Sequence, residues 1–368
     1  MTTRFTRTVR TFLTCAGVAG VAALVLAKAP EAKAAPMASF DSLVLLETWL
    51  LPRYDALTAT TSAQSDAWTS FCTKPDAAAV PALKAAFGKA ADSWTAVEFV
   101  TFGPVSQSLR ADRFNFFPDR RNGVARTMSE ALADTDAGRF APDRFAQSSA
   151  AGQGLPALER LLFDDGAEQA LLTGPEAARR CTYASAIALN LATIAKDIRT
   201  GWGDRRSGLI AGIAAGKGDP DLFPDVAALP GMILTDLSSA FQRVTDTKIL
   251  PVLGPNPEGA RPQMADGWRA GRSGQVVRVM IQSAIALLQE VAKQLPSRPQ
   301  WAVNKAATAA EKAAAEFPAN LGAAAQNPGQ AAKVLADVKT FKAAQLTVYR
   351  PIAAYFGISL GFNALDGD

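Results

Sequence analysis

A chain of 368 residues with 49% apolar and 20% charged residues has the composition of a globular protein, long enough for one large domain or two ordinary ones. Its formal charge of +4 comes from 38 basic against 34 acidic residues, and it contains no histidine. That absence excludes Ser-His-Asp and Cys-His catalysis, His-ligated zinc and HExxH metallopeptidases, because each needs an imidazole as base or ligand.

In chain order, Arg4, Arg7 and Arg10 precede an apolar run from Phe12 to Ala27, and Ala32-Lys33-Ala34 follows as a small-x-small site. The pattern is that of a secretory signal peptide over residues 1–34, cleaved near Ala34, which places the mature protein in the periplasm. The run is shorter than the ~20 residues a membrane span needs, and no later uncharged stretch reaches that length, so no stable span is expected after cleavage. Cys15 lies near the start of the run, which is the wrong place for a lipid anchor. Cleavage also removes five basic residues (Arg4, Arg7, Arg10, Lys28, Lys33) and one acidic residue (Glu31), leaving 33 of each. The excess positive charge therefore belongs to the export signal, and nothing remains to neutralise phosphates, so a nucleic-acid partner is excluded.

Two cysteines remain, Cys72 and Cys181. In an oxidising compartment they read as one disulfide closing a loop of about 110 residues, with two separate buried thiols as the alternative.

The apolar spacing is helical throughout, as in Leu83, Phe87, Ala90, Trp94 and Val97, and β-branched alternation is scarce. Helices are expected near 40–71 (bent or broken about Pro52), 81–100, 175–202, 222–247, 273–294, 300–315 and 329–356. Proline and glycine clusters punctuate them. The fold class is all-α, with two packed four-helix-bundle-like domains at 35–205 and 206–368 and a boundary in the turn-rich stretch 201–220.

No Walker loop, GxGxxG, CxxC or GxSxG is present. Four segments carry candidate chemistry. Gly152 to Phe163 is a loop turning into a helix at Pro156, where Glu159 sits among Leu158, Leu161 and Leu162 and needs a partner or an ion unless it only favours the helix N-terminus. Arg110 to Gly123 combines aromatics with alternating charge in a segment too rich in turn residues to be helical throughout. It either places Asp119 or Arg120 in a cleft or pins the end of a bundle. In Trp268-Arg269-Ala270-Gly271-Arg272-Ser273, Arg269 and Arg272 could fork onto one anion, or form a salt bridge between domains. The C-terminal Gly361 to Asp368 is oxygen-rich and suits hard cations, although its spacing is not that of an EF-hand.

These four blocks, in this order, resemble the imelysin-like family, and more closely its branch of periplasmic proteins associated with iron uptake. The residues that carry the resemblance are Phe116 to Arg121, Gly154 to Phe163, Trp268 to Ser273 and Gly361 to Asp368. It implies two helical bundles related by duplication and a functional site in the cleft between them. It also implies iron or another divalent or trivalent metal as cargo, with a haem-type periplasmic oxidoreductase as partner. The family's Gly-x-His-x-x-Glu signature is matched at Gly154 and Glu159, while Pro156 stands in the histidine position. A proline side chain neither ligates a metal nor transfers a proton, so the resemblance carries over Glu159 as a metal ligand rather than a catalyst, and the expectation leans away from peptidase activity. The expected cleft residues are Asp119, Arg120, Gly154, Glu159, Trp268, Arg269 and Arg272, holding a metal or a small anionic ligand.

Overall fold

The computed structural model describes residues 39–361, so the signal peptide read at 1–34 and most of the C-terminal block, 362–368, lie outside the described residues. Nine longer helices carry the architecture: α1 Leu51–Thr73, α2 Val80–Thr95, α3 Gly123–Ala133, α4 Leu155–Phe163, α5 Ala177–Trp202, α6 Leu229–Gln242, α7 Ser273–Ala292, α8 Ser297–Ala315 and α9 Pro328–Thr347. The described residues contain no strand, only two isolated bridges, Asp204–Ser207 and Asp219–Phe223. The chain is all-α.

Each helix follows from its apolar stripe and its ends. Along α2, Leu83, Phe87, Ala90 and Trp94 are all buried, the three- and four-residue spacing that aligns side chains on one helical face. The Asn327 side chain accepts from the Gln330 amide before α9, and Pro328 opens that helix where its missing N–H costs nothing. After α5, Gly203 at φ +64° leaves the helical region, a conformation that favours glycine.

Proline shaped the helices differently from expectation. At Pro52 the chain neither breaks nor stops; a wide π-type turn over Leu46–Leu50 runs directly into α1. The same device recurs over Arg243–Ile249, just before Pro251, and over Val348–Ala353, which contains Pro351. Proline cannot donate to the carbonyl four residues back, and widening the turn accommodates the interrupted ladder while the helix continues. The helix expected from 222 begins only at Leu229, with Pro230 in its first turn.

The helices fall into two groups. In the first, α1 packs on α2 and α5, and α4 bridges α2 and α5; in the second, α6, α7, α8 and α9 pack in a ring. Residues 39–361 nevertheless form one compact unit with one contiguous apolar core. Where the boundary was expected, at 205/206, the helix group changes but the core does not end. Polar bonds also cross it: Trp49 Nε1 donates to the Ser283 carbonyl at 3.2 Å, Arg53 Nε donates to Ser283 Oγ at 2.9 Å, and Thr101 binds Asp236 through its amide at 2.6 Å and its hydroxyl at 2.7 Å. Cys72, near the end of α1, is bonded to Cys181, near the start of α5, with Cα atoms 5.6 Å apart. The two-thiol alternative is thereby set aside.

Candidate functional site

Three segments distant in sequence meet around a cleft of about 480 Å³, within the range of small-molecule sites. One wall is the stretch Phe116 to Asn122, with a cis Phe117–Pro118 peptide. A second is the start of α4, with Pro156, Glu159 and Arg160, and the third is the turn Gln263 to Arg269. Five of the expected residues line it: Asp119, Arg120, Glu159, Trp268 and Arg269.

Glu159 is the buried carboxyl of the site, 7% exposed. Rather than capping its own helix, it reaches across to accept from the Ala270 amide at 2.9 Å. Burial pushes its pKa from 4.5 up to about 7; the Ala270 amide opposes this and the nearby Asp266 adds to it. Asp119 resolves its two readings by doing both. It faces the cleft, yet its carboxylate oxygens accept from the Gly123 amide at 2.7 Å and the Val124 amide at 2.9 Å, capping α3. Arg269 donates to Asp164 at 2.6 Å and lies 4.1 Å over the Trp268 ring, while Arg160 reaches the other oxygen of Asp164 at 3.0 Å. One carboxylate thus holds two guanidinium groups at the rim. Arg120 is exposed, and its side chain makes no hydrogen bond or ion pair with the described residues.

Two expected residues act elsewhere. Gly154 does not line the cleft: it starts α4 where a Cβ would run into the Arg113 and Phe114 carbonyls, so glycine is there for close backbone approach. Arg269 and Arg272 do not fork onto one anion, because residues 268–271 form turns rather than a helix. Arg269 takes Asp164, whereas Arg272 pairs with Asp92 and the Gly88 carbonyl of α2. Arg272 lines a separate recess of about 30 Å³, shared with Glu159, Thr95, Asn115 and Asp266.

Sequence reasoning missed Asp266 and what lies behind it. The Asp266 carboxylate faces the cleft and is held at 2.5 Å by the ammonium of Lys248, which also contacts both Glu98 oxygens at 3.0 and 3.1 Å and sits 4.8 Å from the Phe117 ring centre. Lys248 is 1% exposed. Burial pulls its pKa down, but Asp266 and Glu98 together outweigh burial and hold it above the ordinary lysine value. A signal was available: Lys248 stands on the apolar stripe of Leu237, Phe241, Val244 and Val252, and a lysine at a core position demands a buried carboxylate.

The carboxyls that line the cleft are already engaged by protein groups. Among the described residues no group of three or more Asp, Glu, Cys or His side chains could hold a metal ion, and of the cleft carboxyls Glu159 binds an amide, Asp119 caps a helix and Asp266 is held by Lys248. The lining also contains no Ser, Thr, Cys or Lys side chain to act as a nucleophile.

The model of the family described as Imelysin matches residues 50–347. The chain belongs to the imelysin family. An imelysin-like protein from Psychrobacter arcticum 273-4 shares its fold with a TM-score of 0.68 at 19% identity, over 88% of this chain and 98% of that one. A putative iron-regulated protein A precursor from Parabacteroides distasonis ATCC 8503 does so with a TM-score of 0.69 at 15% identity, over 88% and 97%. No curated protein matches. Among the described residues of this imelysin, no helix is long and apolar enough to cross a membrane.

Proposed function

We propose that this imelysin is an exported, periplasmic ligand-binding accessory protein of iron uptake, whose cleft takes a small anionic ligand and so receives iron as an anionic chelate. The observation that carries the reading is the charge state of the cleft: the Arg120 side chain lines it with no partner among the described residues, while the buried Glu159 is held toward its neutral form. Arg160 and Arg269, each tied by one bond to Asp164, bring two further guanidinium groups to the same rim. Two further points support the iron connection and the location: the name of the iron-regulated neighbour from Parabacteroides distasonis, and the signal-like segment at 1–34. A haem-type periplasmic oxidoreductase is the partner to which such a chelate would be handed. The charge state favours an anion over a bare metal ion, and carboxyls already engaged by protein groups favour binding over peptide cleavage.

Calorimetric titration with citrate, ferric citrate and the bare ions Fe²⁺, Zn²⁺ and Ca²⁺ tests this. Citrate, free or ferric, is expected to bind, and Arg120→Ala to weaken it about tenfold, the loss of one charge-assisted hydrogen bond. Tight binding of a bare metal ion with no response to citrate would overturn the reading.

A further inference from the structure

We propose that Lys248, which does not line the cleft, is its positioning residue: one ammonium ties the Phe117 wall, the Asp266 wall and the Glu98 segment after α2 into a single fixed opening. The inference rests on the reading of the cleft as a ligand site. Phe117 and Asp266 both line the cleft, and among the described residues no other charged group bridges them: Lys248 Nζ is 2.5 Å from Asp266, 3.0 Å from Glu98 and 4.8 Å from the Phe117 ring centre. Among the described residues, the one direct hydrogen bond from the segment beside the Phe117 wall to the Asp266 wall is long, Asn115 Nδ2 to Asp266 at 3.5 Å.

The chemistry explains why a lysine stands there. A buried ion pair stabilises a fold poorly, and an apolar residue of similar volume would serve the core as well or better. What an ammonium adds is direction, since its donors must each point at an oxygen, and here those oxygens belong to segments 150 and 18 residues away in sequence. The helix is also built to deliver it. Buried residues recur every four positions at Val244 and Thr245, Lys248 and Ile249, and Val252 and Leu253. An α-helix of 3.6 residues per turn would rotate such a stripe away, and the wide turn over Arg243–Ile249 keeps it facing inward.

The test is hydrogen exchange of the whole protein, read at residues 115–118 and 263–270, together with citrate titration. Lys248→Met is expected to speed exchange in both segments at least about tenfold and to weaken citrate by a similar factor, while the protection of α5 stays as it is. Leu288→Ala, which opens a core cavity in α7 away from the cleft, is expected to destabilise the protein and change neither segment nor affinity. Should Lys248→Met fail to fold, Asp266→Ala leaves the Lys248–Glu98 pair intact and is expected to release 263–270 alone. Unchanged exchange of the wall segments in the lysine variant, or of 263–270 in the aspartate variant, would overturn the proposal. If the wild type ignores citrate, the ligand reading falls but the exchange result still decides the role of Lys248.

Discussion

Glu159→Gln is expected to stabilise this imelysin at alkaline pH and to leave it nearly unchanged at acid pH. The glutamine keeps an oxygen to accept from the Ala270 amide and removes a carboxyl whose charged form is disfavoured in its buried place. The sign follows from linkage. With a folded pKa of about 7 against 4.5 unfolded, the native state holds a proton that the unfolded state has released between those values. Stability is therefore lost as pH rises through that window, by about 3 kcal/mol once Glu159 is ionised. Asp236, pushed from 3.8 to about 7 by burial against the opposing Thr101 bonds, contributes in the same direction and remains in the variant. Denaturant unfolding at about pH 5 and about pH 8 should show the advantage of Glu159→Gln growing by about 2.5 kcal/mol with pH. An advantage of the same size at both would show that the Glu159 carboxyl is solvated in the native state.

Replacing Cys72 and Cys181 by serine is expected to cost about 4 to 5 kcal/mol, because the bond closes a loop with a sequence separation of 109 and so restricts the unfolded chain. The bond sits at one end of an antiparallel pair whose other end adds an ion pair, Arg199 with Asp55 at 2.5 Å, a partly exposed contact worth little in water. Urea unfolding of the oxidised protein against the double variant measures the loss directly. A difference under about 1 kcal/mol would mean that packing of α1 on α5 already orders the unfolded ensemble there.

The fold was legible because it rests on local periodicity. The stripe of Leu83, Phe87, Ala90 and Trp94 forecast α2, and the long run before Trp202 forecast α5, since side-chain direction along a helix is set by the backbone alone. The proline effects were legible only in part. Pro52 marked an irregularity, but whether a helix bends, stops or widens depends on the tertiary contacts that hold both sides, here the buried Trp49, Leu50 and Tyr54.

The site divides in the same way. Glu159 and Arg120 stood out as charges in unusual company, one among leucines and one in an aromatic turn. Asp266 did not, because its meaning depends on Lys248, 18 residues away, and through it on Glu98, 150 residues away, and no sequence period encodes such pairing. Gly154 entered the expected cleft through the Gly-x-His-x-x-Glu resemblance and Arg272 through its spacing from Arg269; in the structure one makes a close backbone contact and the other an ion pair to α2.

The measurement that tests the anionic-ligand reading most directly is the pH dependence of citrate affinity in the wild type relative to Glu159→Gln, between about pH 6 and about pH 8. The ratio cancels the titration of citrate itself and isolates the carboxyl that burial holds near 7. An anion in the cleft favours neutral Glu159, so the relative affinity should fall by about tenfold as pH rises, one pKa unit of coupling. A relative affinity that rises with pH would mean that the ligand needs the Glu159 carboxylate, as a metal-centred ligand would, and would contradict the reading.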